Sequence, residues 1–173
     1  MTAVAGEIWT AAQFNANVRD NLLETMPGKA TAAGRLFATT ANNAIAERVP
    51  STATVATSQT TSSTSYTDLA TSGPAVTVTT GTTAIVYWSA AMSHSSGSGE
   101  MSVSVAVSGA TTVAANDNWR LLESGVTASN VNRGGQCHRF TGLTAGSNTF
   151  TLKYRTTGAT ATFLDRDIIV LPF

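Results

Sequence analysis

Side chains with reactive chemistry are few in this chain of 173 residues: two histidines, His94 and His138, and one cysteine, Cys137. A Cys–His nucleophile pair needs both groups within hydrogen-bond reach, but adjacent strand residues point to opposite faces. Cys137 and His138 are therefore expected to be a small buried thiol beside an outward imidazole. His94 falls in the run SHSSGSG and is expected to be a solvated loop residue. Zinc needs three or four protein ligands, and this set matches no zinc spacing. Asp165 and Asp167 flank Arg166 in LDRD. On a strand the two carboxylates share a face and could bind calcium or act as an acid–base pair. The simpler account is a polar start to the last strand, or an ion pair with Arg155 or Arg139. Asn132-Arg133-Gly134-Gly135 lacks the pattern of a phosphate loop and reads as a turn. Trp119 beside Arg120, with Tyr87 and Trp88, could make an aromatic platform for a sugar, although Trp88 fits a core better. The candidate ligand-contact set is thus Trp119, Arg120, Asn132 and Arg133, with Asn130 in the same loop region. No catalytic residue, cofactor site or metal site follows from the sequence.

The elements that must position these residues are mostly strands. Residues 75–79 alternate, with Val76 and Val78 on one face. Residues 83–92, TAIVYWSAAM, are the most apolar stretch and suggest a central strand covered on both sides. In residues 100–108 Met101, Val103, Val105 and Val107 point inward, with Ser102 and Ser104 outward. Strands are also expected over 136–141, over 148–156 with Phe150, Leu152 and Tyr154 aligned, over 161–164 and over 167–173. Roughly seven to nine short strands separated by turns predict an antiparallel β-sandwich or jelly roll. No crossover helices separate the strands, which excludes a parallel α/β fold. Residues 51–65 also resemble a low-complexity linker.

One helix precedes the strands, over residues 6–27. Thr10 and Gln13 have the spacing of a capping box, and Trp9 and Phe14 that of a hydrophobic staple. Phe14, Val18 and Leu22 form one apolar stripe, with Arg19 and Asp20 at its rim. A helix of about 15 residues is marginal alone in water, so the stripe must pack on something. Residues 28–50 read as an extended connector with a short strand or turn over 35–39. Pro50 marks the expected boundary between an arm, residues 1–50, and a β domain, residues 51–173. The stripe Trp9, Phe14, Val18, Leu22 with Arg19 and Asp20 is best read as an attachment surface.

Composition narrows the partners. Charged residues are 12% and net charge is zero, which gives no electrostatic basis for nucleic acid or an anionic membrane. No apolar run reaches the ~20 residues of a membrane span. Nor does a basic region followed by an apolar one open the chain as a secretory signal would, so assembly in a cytoplasm is expected. Ser and Thr exceed a quarter of the chain, while lysine occurs only at Lys29 and Lys153. A surface of neutral hydroxyls suits half-exposed strands and turns.

The segment GEIWTAAQFNANVRDNLLE resembles the N-terminal signature of structural proteins of tailed bacteriophages, especially those of actinobacteria. Thr10, Ala11, Phe14, Asn15, Val18, Arg19, Asp20 and Asn21 carry the match. Residues 65–90 and the closing IIVLPF are similar to the β modules that follow that signature. The resemblance implies a non-enzymatic virion protein: a minor tail subunit, head decoration or fibre that is commonly trimeric. Its implied partners are further copies of itself, major capsid or tail proteins and, in a fibre, a host cell-surface glycan. It implies no catalytic residue.

Overall fold

The structure is a computed structural model that describes residues 8, 10–19, 29–42, 44–96, 99–126 and 130–173. The helix starts where the capping box predicts. Thr10 Oγ1 accepts from the Gln13 amide at 3.2 Å, and Gln13 Oε1 accepts from the Thr10 amide at 2.9 Å. An α-helical turn, α1 (Ala11–Phe14), passes into a π-helical turn over Asn15–Arg19. No residue of α1 is buried. Trp9, Asp20 and Leu22 lie outside the described residues, and with them the staple and the far end of the stripe.

The expected connector holds more structure than its irregular apolar spacing suggests. β1 (Leu36–Ala41) and β2 (Ala44–Arg48) form an antiparallel hairpin. Arg35 and Thr31 both bind the Glu47 carboxylate at its side. Pro50 falls between this hairpin and the next strand.

The remaining strands are β3 (Ser51–Val55), β4 (Gln59–Thr61), β5 (Ala75–Thr80), β6 (Thr83–His94), β7 (Glu100–Gly109), β8 (Leu121–Ser124), β9 (Asn132–Thr141), β10 (Gly146–Thr156) and β11 (Ala161–Pro172). β3 and β4 pair with successive parts of β11 and act as one broken strand. Two antiparallel sheets result, ordered β3/β4–β11–β6–β9 and β5–β10–β7–β8. With the broken strand counted once, the described residues of the two sheets form eight strands. First pairs with last, second with seventh, third with sixth and fourth with fifth, which is jelly-roll connectivity. The fold is therefore mainly β, as expected, and the pairing selects the jelly roll among antiparallel sandwiches. Residues 51–65, linker-like in composition, supply its first strand.

The core lies between the sheets. Val86, Met92, Met101, Val103, Val105, Phe150, Leu152, Tyr154, Phe163 and Ile168 are all at 0% exposure. Each fully buried large apolar side chain contributes about 1.5–3 kcal/mol. The alternation read from β7 and β10 gives their inward residues correctly. On the outer side of β7 the expectation fails, because Ser102 and Ser104 are buried too. The chain after β7 folds back: Val113 pairs with Val107, and Ser104 Oγ donates to the Asn116 carbonyl at 2.8 Å.

Three other expectations are corrected by long-range pairing. β6 continues through Ser93 and His94 because Thr162 and Ala161 pair with them. His94 is therefore buried rather than solvated, with Nε2 3.1 Å from Thr156 Oγ1. The 132–135 turn is instead the first part of β9, paired with β6 from Met92 to Ser89. That register places Cys137 opposite Tyr87 and His138 opposite Val86. The thiol is consequently exposed and the imidazole faces inward, the reverse of the expected orientation. Finally, β6 is central in its sheet but covered on one face only, since Tyr87 remains 45% exposed.

Candidate functional site

The described residues contain no group of three metal-ligating side chains and no helix long and apolar enough to cross a membrane. Asp165 and Asp167 do not form a simple one-face pair. A β-bulge interrupts β11 between Leu164 and Asp167, with Asp165 at φ 46°. The extra residue resets the alternation, so Arg166 turns into the interior at 0% exposure. Its guanidinium donates to Thr57 O at 3.2 Å, Gln59 Oε1 at 3.1 Å and Gly73 O at 3.4 Å, and lies 5.3 Å from the centre of the Tyr154 ring. Burial pushes the Tyr154 phenol far above its usual range. Here the charge is absorbed by carbonyls and an aromatic face rather than by a carboxylate.

The four candidate ligand-contact residues do not form one site. Trp119 ends a 3₁₀ turn, Asp117–Trp119, and packs into the side of the sandwich. Its ring stacks on His138 at 5.1 Å and meets Phe140 edge-on at 5.3 Å, while Nε1 donates to Val105 O at 3.0 Å. Desolvation there lowers the His138 pKa. Arg120 is engaged by Glu100 at 3.2 Å and by Asp117 at 3.5 Å. Asp117 also binds Arg155 and the Tyr66 hydroxyl, each at 2.8 Å, and burial with that hydrogen bond pushes Tyr66 up to about 12. The cluster ties the outer loops to β10. Asn132 and Arg133 stand elsewhere, at the start of β9.

Arg133 opens onto the outer face of the β3–β11–β6–β9 sheet. Register aligns the outward residues of the four strands in rows. Cys137, Tyr87, Ile169 and Thr52 form one row, and Gly135, Ser89, Asp167 and Thr54 the next. Tyr87 and Ile169 are each 45% exposed and make an apolar floor. A hydrogen bond with Cys137 holds the Tyr87 phenol above its usual range. Beside the floor, Asp167 accepts from Thr54 Oγ1 at 2.7 Å and Ser89 Oγ at 3.3 Å, and pairs with Arg133. Both ends of that ion pair are partly exposed, so it contributes at most about 1 kcal/mol to stability. Its effect is to orient. Tyr87, Ser89, Gly135, Gln136, Asp167 and Ile169 border a shallow cavity of about 460 Å³, and Arg133 lies outside that lining, on Asp167. Sequence reasoning named Tyr87, Asp167 and Arg133 but in three separate groupings. The signal that joins them is the 2-residue period on three strands, usable only once the β9 and β11 registers are known.

Of the arm's candidate residues, Phe14 is 51% exposed, Val18 is half-buried and Arg19 is exposed. No protein-family model matches the chain, and no curated protein sequence matches it. A solved structure of the infectious bursal disease virus Gx strain resembles 73% of this chain, at 12% identity and a TM-score of 0.42. The chain spans 38% of the length of that neighbour's chain. A likeness at this level carries no argument about function.

Proposed function

We propose that this chain is a non-enzymatic structural protein of a bacteriophage virion. In this reading it is a surface decoration, fibre or minor tail subunit that joins the particle through its N-terminal arm. The jelly roll faces solvent and associates with further copies, as a homotrimer. One observation supports this above the others. Among the described residues, no side chain of the helix or hairpin joins the hydrophobic cluster of the sandwich, which draws all its buried members from Leu69 onward; Ala38 of the hairpin is buried but outside it. A well-capped helix and a two-stranded hairpin are both marginal when isolated. Elements that the core does not use are fitted to contacts with other subunits, and the phage-like signature falls within one of them. The test is mass spectrometry and imaging of purified particles with the chain tagged after Phe173. The tag is expected on the particle exterior; its absence from purified particles sinks the reading. Sedimentation of the isolated protein tests the trimer, and a monomer at micromolar concentration contradicts it.

A further inference from the structure

Two consecutive glycines on β9 have different reasons for being there. A Cβ on Gly134 would lie 2.9 Å from Leu121 Cδ1 and 3.0 Å from Glu123 Oε1, so those side-chain ends must shift to admit it. A Cβ on Gly135 would meet Trp88 O at 3.5 Å and Ser89 Cβ at 3.8 Å, which are ordinary contacts. Nor is its φ positive. Neither the backbone nor the packing requires glycine at 135, although glycine weakens a strand interior. What the missing side chain does is leave a notch on the outer face beside Ser89. Glycine inside a strand often marks a place where a ligand approaches closely.

The walls define the ligand. The cavity, about 460 Å³, falls within the range of small-ligand sites. Its floor is the exposed Tyr87 ring flanked by Ile169, which suits a flat apolar surface. Its polar side is Ser89, Gln136 and Asp167, with Arg133 held on Asp167 outside the lining. Arg133 bonds Ser89 and Asp167 through Nη2 alone, so Nε and Nη1 donate to no protein group among the described residues. Both forks of a guanidinium include Nη2, which is engaged here, so Arg133 serves to fix the Asp167 carboxylate. Because Arg133 and Asp167 neutralise each other, neither an anion nor a cation gains net attraction. The ligand these features describe is neutral, with one apolar face and hydroxyls at its edge. We propose that the notch binds a neutral pyranose, its C–H face on Tyr87 and its hydroxyls on Asp167 and Gln136. A second copy of the chain is the less suited occupant, because an interface needs about 800 Å² per partner and this is a local concavity. The inference is independent of the arm and goes beyond the attachment reading.

The experiment is saturation-transfer NMR on the full chain with methyl glucoside, methyl galactoside, methyl mannoside and N-acetylglucosamine. At least one is expected to bind. Gly135→Val, which fills the notch, and Tyr87→Ala, which removes the floor, should each weaken that binding at least tenfold with the melting temperature retained. Lack of saturation of every pyranoside overturns the proposal, as does unchanged binding by Gly135→Val. So does a change of oligomeric state in Gly135→Val with no sugar signal, which assigns the face to a second copy.

Discussion

The N-terminal helix and the jelly-roll core treat their apolar residues differently. In the jelly roll, Phe150, Leu152 and Tyr154 alternate along one strand and all reach 0% exposure. In the arm, Phe14 keeps 51% of its surface exposed and Ile8 keeps 90%. Local order does not explain the difference, since the helix start is fully capped, with both reciprocal bonds of the capping box in place. The contrast separates apolar side chains that hold the chain together from apolar side chains that stay at its surface.

Substitutions on the two sides should therefore diverge. The largest effect is expected for Val103→Asp. It places an unpaired carboxylate in a fully buried site, costs several kcal/mol and abolishes the cooperative melt seen by circular dichroism. A melt like that of wild type would mean that β7 does not face the core. Next come the two glycines of β9. Gly134→Ala crowds Leu121 and Glu123 and should cost about 1 kcal/mol, whereas Gly135→Ala should gain about 0.5 kcal/mol through the backbone. Equal effects in denaturant titrations would erase the distinction drawn between them. Thr10→Ala removes the helix cap, worth about 1 kcal/mol to the helix, yet should leave the jelly-roll melt unchanged. A matching drop in the global melt would show that the helix is part of the same cooperative unit.

The smallest effect concerns pH. Desolvation beside Trp119 lowers the pKa of folded His138, so the unfolded chain takes up that proton first. The contribution is complete above about 6.5, declines as pH falls below that value and levels off once the folded imidazole has titrated. Melting temperatures at pH 7.5 and pH 5 should differ more for wild type than for His138→Phe. The same difference in both proteins would remove His138 from the account.

Sequence period was enough to read the inward faces of β7 and β10, because Val103, Val105, Phe150 and Leu152 sit in strands whose alternation is unbroken. It failed where pairing partners decide the outcome. His94 lies in a glycine-rich run whose composition says loop, and only Ala161 across the sheet makes it strand. Cys137 and His138 have opposite orientations in either register, so the sequence could not choose between them. The choice is made by Tyr87, which lies opposite the thiol. The bulge at Asp165 leaves no local signal that separates it from a regular strand, yet it sends Arg166 inward and leaves Asp167 to meet Arg133. Composition obscured β3 and β4 because a threonine-rich strand at a sheet edge looks like a linker. The candidate sugar site was legible only in fragments. Its residues come from β6, β9 and β11, and no spacing along the chain brings them together.

The most direct test of the central claim is to delete residues 1–50 and to measure both particle incorporation and thermal melting. The account predicts that residues 51–173 melt within a few degrees of the full chain and are lost from purified particles. Incorporation of the truncated chain at the wild-type level, or collapse of its melt, would contradict it.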